Sequence, residues 1–232
     1  MDSLITSSSR CLLVAAAPKE AQAVLCAFDS SQEAIGLGES TRLDDRFDLL
    51  CCGVGKSSAA ASTARALSQE SYESVVSVGV AGALPVEHPI DIGQSIAATR
   101  SCFSDEGVGA TDGFIPMSEL GFAPFASGQM YIDHDPELTE HLATLCDVQG
   151  VIATVSWCSG DDGCAAGVVS RTGAIAEAME GAACAVATQL SDPSIRTGEL
   201  RVISNTTGNR SKQVWDLDLA LKNLITVLGL LR

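Results

Sequence analysis

The sequence predicts an α/β fold: a single-domain central mixed, largely parallel β-sheet flanked by helices. Three observations predict it. Short apolar runs of strand length alternate with Ala-rich stretches at helical spacing, the pattern of a sheet covered on both faces. Apolar residues make up 46% of the chain and aromatics only 4%, so the core is built from small aliphatic side chains that let helices pack closely on a sheet. The 232 residues suit one large domain, and no repeat, linker or internal boundary divides them.

The elements follow in order. Residues 1–10 read as a flexible tail ahead of a domain spanning 11–232. Arg10 followed by the apolar Cys11–Ala17 has the look of a short signal peptide, yet Pro18-Lys19-Glu20 then opens a helical pattern, so Cys11–Ala17 reads as the first strand. Pro18 suits a helix start, and Glu20–Phe28 continues it. Leu49–Gly53 is a second strand, Ser57–Leu67 an Ala-rich helix, and Val75–Val80 a buried strand running into Gly79-Val80-Ala81-Gly82. Ile92–Thr99 and Val151–Trp157 are further strands. Ala174–Leu190 reads as one helix, Leu200–Ser204 as a strand and Val214–Leu231 as a closing helix. Segments 103–129 and 158–173, rich in Gly and Asp, read as irregular loops, which is where compact domains often bind ligands.

Charge and cysteines exclude several classes. The net charge is −15, with 14 basic residues spread thinly, a surface that repels nucleic acid and anionic lipid. No apolar stretch is long enough to cross a bilayer. Nine scattered cysteines fit reduced thiols in the cytoplasm better than a disulfide framework. Cys158 and Cys164 lack zinc-site spacing, and no histidine completes a set, so no metal is expected. GVGKSS (53–58) resembles the end of a phosphate-binding P-loop, but Leu50 stands where that motif needs glycine. Gly79-Val80-Ala81-Gly82 lacks dinucleotide spacing and reads as a tight turn that a small ligand could approach. Asn205-Thr206-Thr207 is a formal glycosylation sequon with no other sign of secretion.

Four segments carry the chemistry: AAAPKEAQAV (15–24), VSVGVAGAL (76–84), GAIAEAMEGAACAVA (173–187) and RVISNTTGNR (201–210). In this order and spacing the chain resembles the nucleoside phosphorylase/nucleosidase family. SDEGVGATDGF (104–114) and the ISN tripeptide, followed by a Gly-x-Arg loop and a tryptophan, point within it to the branch that hydrolyses futalosine. The resemblance implies cleavage of the N-glycosidic bond of futalosine, releasing hypoxanthine and dehypoxanthine futalosine in menaquinone biosynthesis. It further implies a small-molecule purine nucleoside substrate, no metal or organic cofactor, and a homo-oligomer, either dimer or tetramer. Two alternatives stay open: another 6-oxopurine nucleosidase or phosphorylase, and a non-catalytic purine nucleoside-binding protein.

Glycosidic cleavage needs a donor at the departing base, contacts to the ribose and an activated water beneath the anomeric carbon. By the resemblance, Glu20 is the base acting on that water; read alone, it is a helix-start carboxylate favoured by the macrodipole. Met179 and Glu180 match the ribose-holding pair, since a carboxylate accepts from two hydroxyls and a thioether packs on the ring. Arg201 matches an arginine that organises the water and nearby carboxylates, and a strand-edge charge is its plainer reading. Asn205 stands where adenine-releasing relatives use aspartate. Its amide donates without needing a retained proton, which suits the N7/O6 edge of a 6-oxopurine. Val80, Ala81 and Gly82 would approach the substrate, and Trp215 would cover the 5′ substituent. Trp157 and Phe103 either line the base pocket or pack in the core, and Arg210 or Lys212 either pairs with the substituent's carboxylate or is a solvated loop charge.

Phosphorylases of this family hold phosphate with an arginine-bearing loop after the first strand and an arginine before the middle glycine turn. Here those places read Ala17-Pro18-Lys19-Glu20-Ala21 and Ser77, so water is the expected acceptor. One departure concerns the carboxylate that relatives place directly before Met. Ala178 occupies that position, and on a helix Glu177 would be turned about 100° away.

Overall fold

The computed structural model describes residues 10–111, 113–122 and 130–232; nearly all of the tail expected at 1–10 lies outside them. Both faces of the sheet are covered, and the first strand shows why. In β1 (Cys11–Ala15), Cys11, Leu13 and Ala15 join one apolar cluster while Leu12 and Val14 join another. Period-two alternation thus feeds two cores at once, and the strand reads as an unbroken apolar run. Helix α1 (Pro18–Ala27) lies on the first face, and β2 (Ser40–Arg42) and β3 (Phe47–Cys51) extend one edge. Helix α2 (Lys56–Gln69) packs on the other face, and β4 (Ser74–Ala83) runs through the centre.

The chain continues through β5 (Ser95–Phe103), a hairpin of β6 (Gly107–Ala110) and β7 (Gly113–Pro116), and β8 (Tyr131–Asp133). Then come α3 (Pro136–Leu145), β9 (Val148–Thr154), α4 (Asp162–Thr172) and β10 (Ala176–Ala178). Helix α5 (Gly181–Ser191), β11 (Arg196–Thr206) and α6 (Leu217–Gly229) complete it. The main sheet runs β10-β9-β5-β11-β4-β1-β3-β2, with β8 beside β5. Parallel pairs such as β1–β4 and β4–β11 mix with antiparallel ones such as β5–β11. Because β10 also pairs with the far end of β4, strands β4, β11, β5, β9 and β10 close into a ring.

The expected α/β architecture holds, and four local readings are corrected. Ala174–Leu190 is not one helix. Its start is strand β10, wedged between β9 and β4, and sheet pairing overrides the helix propensity of Ala and Glu. Segment 158–173 is not irregular: α4 begins at an Asp161 side chain that accepts from Cys164 N–H at 2.8 Å, and ends at Gly173 with φ +59°. The loop expected at 103–129 holds the β6–β7 hairpin among its described residues. The closing helix starts at Leu217 rather than Val214, because Asp216 caps it by accepting from Leu219 N–H. Helix α3, not read from the sequence, starts where the Asp135 side chain accepts from Leu138 N–H and Pro136 follows.

The β10–α5 junction is tight. Ala182 N–H donates to Thr154 Oγ1 at 2.8 Å, and a Cβ on Gly181 would sit 2.1 Å from Glu199 Oε2. Glu199 cannot retreat, since Ser101 and Arg201 both donate to it. Gly181→Ala should therefore lower the denaturant midpoint of the folded protein, a loss of about 1–3 kcal/mol, measured by urea unfolding.

Candidate active site

Two residues on β4 lack side chains where neighbours need room. A Cβ on Gly79 would lie 2.3 Å from Glu20 Oε1 and 2.7 Å from Arg201 Nη1, and one on Gly82 would lie 3.0 Å from Asn205 Nδ2. Glycine at 79 lets a buried carboxylate and guanidinium approach the strand; glycine at 82 does the same for the amide. The sequence-level reading of a tight turn at 79–82 gives way to a strand thinned for close approach.

Glu20 sits in the first turn of α1 and is buried. Its Oε2 accepts from Ala17 N–H and its Oε1 from Val80 N–H, both at 2.8 Å. Helix start and central strand therefore hold the carboxylate together.

Arg201 is 1% exposed, not a strand-edge charge. Its Nε donates to Glu199 Oε1 at 2.9 Å and its Nη2 to Ser77 Oγ at 2.7 Å, while Nη1 lies 3.6 Å from Glu180 Oε2. Burial opposes its charge, but the carboxylates of Glu199, Glu180 and Glu20 outweigh that and hold the guanidinium pKa above its ordinary value. Behind it, Ser101 Oγ donates to Glu199 and bonds His134 Nε2 at 2.8 Å. Burial keeps the His134 pKa below the usual imidazole value.

Glu180 occupies the N-cap of α5 rather than a helix interior. Its Oε1 accepts from Gly55 N–H at 3.0 Å and its Oε2 from Met179 N–H at 3.3 Å. Burial raises its pKa, and Arg201 with these two N–H groups pulls it back. The P-loop-like GVGKSS thus uses Gly55 to hold a protein carboxylate. Its Lys56 is committed to Asp105 and Glu106, and sits 4.8 Å from the Phe103 ring centroid.

Asn205 owes its aim to a β-bulge. Along β11 the register with β4 slips between Ile203, opposite Ala81, and Asn205, opposite Gly82. The extra residue, Ser204, puts the side chain at 205 where an unbroken strand would have put that of 204. Ser204 Oγ donates to Asn205 Oδ1 at 2.9 Å, and Asn205 Nδ2 donates to the Thr206 carbonyl at 3.0 Å. One amide hydrogen remains for a ligand.

These groups meet. A cavity of about 470 Å³ is lined by Glu20, Val80, Ala81, Gly82, Met179, Glu180, Asn205 and Trp215, with Lys19, Val54, Glu177 and Ser204 among the rest. A second lobe of about 320 Å³ shares Gly82, Glu177, Asn205 and Trp215 with it and adds Ser159, Arg210 and Gln213. Arg201 stands behind the wall and does not line either lobe. Trp157 is 68% exposed and lines a separate hollow with Ser104 and Arg171. Phe103 borders another, with Met117 and Met130. Trp215 pairs by backbone with Asn205, and the Arg210 guanidinium lies 4.9 Å from its ring centroid. Among the described residues no three His, Cys, Asp or Glu side chains converge as metal ligands. Glu199 escaped the sequence reading although Glu199-x-Arg201, two apart on one strand, puts both side chains on one face. Ser159, placed in a loop, escaped too, while Glu177, set aside because a helix would turn it away, lies on strand β10 and lines the cavity.

The profile described as phosphorylase superfamily matches residues 44–229. A futalosine hydrolase from Acidothermus cellulolyticus is 37% identical over 220 residues, covering 92% of this chain and 86% of that one. Another from Streptomyces coelicolor is 34% identical over 194 residues, covering 81% and 79%. Among solved structures, the Helicobacter pylori 5′-methylthioadenosine/S-adenosyl homocysteine nucleosidase superposes with a TM-score of 0.77 at 21% identity, covering 97% of each chain. The native futalosine hydrolase of Helicobacter pylori gives 0.75 at 20%, again covering 97% of each. This chain belongs to the phosphorylase superfamily and is related along most of its length to futalosine hydrolases.

Proposed function

We propose that this protein hydrolyses the N-glycosidic bond of futalosine, releasing hypoxanthine and dehypoxanthine futalosine, a step of menaquinone biosynthesis. One structural observation carries the reading: Glu20 and Asn205 face a single cavity. The relatives of 37% and 34% identity, both futalosine hydrolases, support it. Glu20 takes a proton from water as its oxygen bonds to the anomeric carbon. The C–N pair withdraws into the purine, and the free Asn205 N–H steadies the charge growing on the N7/O6 edge. The departing anion takes up a proton from solvent to leave as hypoxanthine, as Glu20 returns its proton to solvent. Glu180 accepts from the ribose hydroxyls, Met179 packs on the ring, and Arg201 keeps Glu180 in place from behind.

Water rather than phosphate is the acceptor. Where a phosphate dianion would sit, the larger lobe presents the Glu20 and Glu180 carboxylates, with Lys19 as its basic side chain. The guanidinium nearest these acids is already engaged by Glu199 and Ser77. At the 5′ side, Trp215 stacks on the aromatic group of the substrate, and Arg210 pairs with its carboxylate.

The reading includes a cytoplasmic homo-oligomer, dimer or tetramer. Nine unpaired cysteines support the compartment. The exposed apolar Val54 and Trp215 at the cavity mouth support a covering partner.

The test is chromatographic release of hypoxanthine from futalosine and from inosine, with and without phosphate. Futalosine should be cleaved at a rate independent of phosphate; strict phosphate dependence would defeat the proposal. Glu20→Gln should lower kcat by about 10²- to 10⁴-fold while hypoxanthine binding persists, and a near-normal rate would remove Glu20 from its role. Asn205→Asp should move preference towards 6-aminopurine nucleosides by roughly tenfold or more, read as the ratio of kcat/KM values.

A further inference from the structure

The base site holds a carboxylate that the mechanism leaves idle. Glu177 on β10 pairs with Gly82 of β4, and Asn205 on β11 pairs with the same Gly82 from the other side. Residues paired in one row of a sheet point to one face, and both side chains line both lobes of the cavity. Two strand spacings put their backbones about 10 Å apart, with side-chain-free Gly82 between them. The row thus forms a slot with an amide donor on one wall and a carboxylate acceptor on the other.

The carboxylate is built in. Glu177 is 3% exposed; Ser159 N–H donates to its Oε1 at 2.7 Å and Ser159 Oγ to its Oε2 at 2.6 Å. Burial pushes its pKa up, and the two Ser159 bonds pull it down. Each oxygen keeps a lone pair to offer.

We infer that Glu177 reads the N1–H of a 6-oxopurine while Asn205 reads its N7/O6 edge. The inference rests on the purine nucleoside reading above and makes Glu177 a specificity-determining residue. Hypoxanthine presents acceptor, acceptor and donor along N7, O6 and N1, matching a donor wall facing an acceptor wall. Adenine has an acceptor at N1, and a carboxylate there meets it lone pair to lone pair, leaving both unpaired.

Glu177→Gln tests this, because Ser159 N–H requires an acceptor. The glutamine oxygen takes that place and its NH₂ group falls where the second carboxylate oxygen was, a donor facing N1. By calorimetry with hypoxanthine, adenine and 1-methylhypoxanthine, Glu177→Gln should weaken hypoxanthine binding roughly ten- to a hundredfold. Its preference for hypoxanthine over adenine, and over 1-methylhypoxanthine, should shrink by a similar factor. Equal effects on all three purines, or none, would overturn the inference while leaving the hydrolase reading intact. Wild-type protein that neither binds hypoxanthine nor releases it from futalosine would instead bring down the functional reading itself. Should the variant not fold, the wild type still decides: 1-methylhypoxanthine binding as tightly as hypoxanthine overturns the role, and a loss of tenfold or more supports it.

Discussion

A fully buried guanidinium organises this molecule. Taking an arginine out of water costs several kcal/mol unless charges and hydrogen bonds answer it. Here Glu199, Ser77 and Glu180 answer Arg201 from β11, β4 and the β10–α5 junction. Three pieces of backbone distant in sequence are thereby fixed against one planar group. Removing the guanidinium would strand buried carboxylates, so the hub is a constraint on the fold before it is a feature of the site. Its bearing on the site is indirect: it is the reason a carboxylate as buried as Glu180 can face the cavity in a set position.

Around that hub, β4 divides the labour with two glycines. The gap at Gly79 admits Glu20 and Arg201, and the gap at Gly82 admits Asn205. Glu20 and Asn205, the groups proposed to act on the sugar side and on the base, are thus admitted at two points of one strand, three residues apart. Neither depends on a mobile loop for its position, because helix N-terminus, strand amide and bulge set each of them. The two ends are also electrically distinct. In the proposed reaction the acids flank a cationic sugar and the neutral amide meets the purine.

Much of this was legible in the sequence where local chemistry decides the outcome. The strand from Cys11 shows as an apolar run because both faces are buried, and Pro18 marks the helix that carries Glu20. The caps of α4, Asp161 and Gly173, are residue types that suit those places, yet the small, acidic stretch between them reads as a loop. The short strand at Ala176–Ala178 was not readable, since Ala and Glu favour helix and only the neighbours β9 and β4 impose an extended backbone. With it went the surroundings of Glu177. The bulge at Ser204 was equally hidden: register against β4 is a property of two strands, and neither sequence alone encodes the slip that aims Asn205. Trp157 shows the converse: expected at a strand end lining the base pocket, it lies beyond the end of β9 and lines a different hollow.

The proposed reaction is the attack of a water molecule, readied by Glu20, on a sugar whose purine Asn205 holds. Hydrolysis of futalosine in ¹⁸O-labelled water containing phosphate measures that attack directly, by mass spectrometry of the ribosyl product. One ¹⁸O atom at the anomeric hydroxyl is the predicted result. An unlabelled sugar phosphate as the product would contradict it.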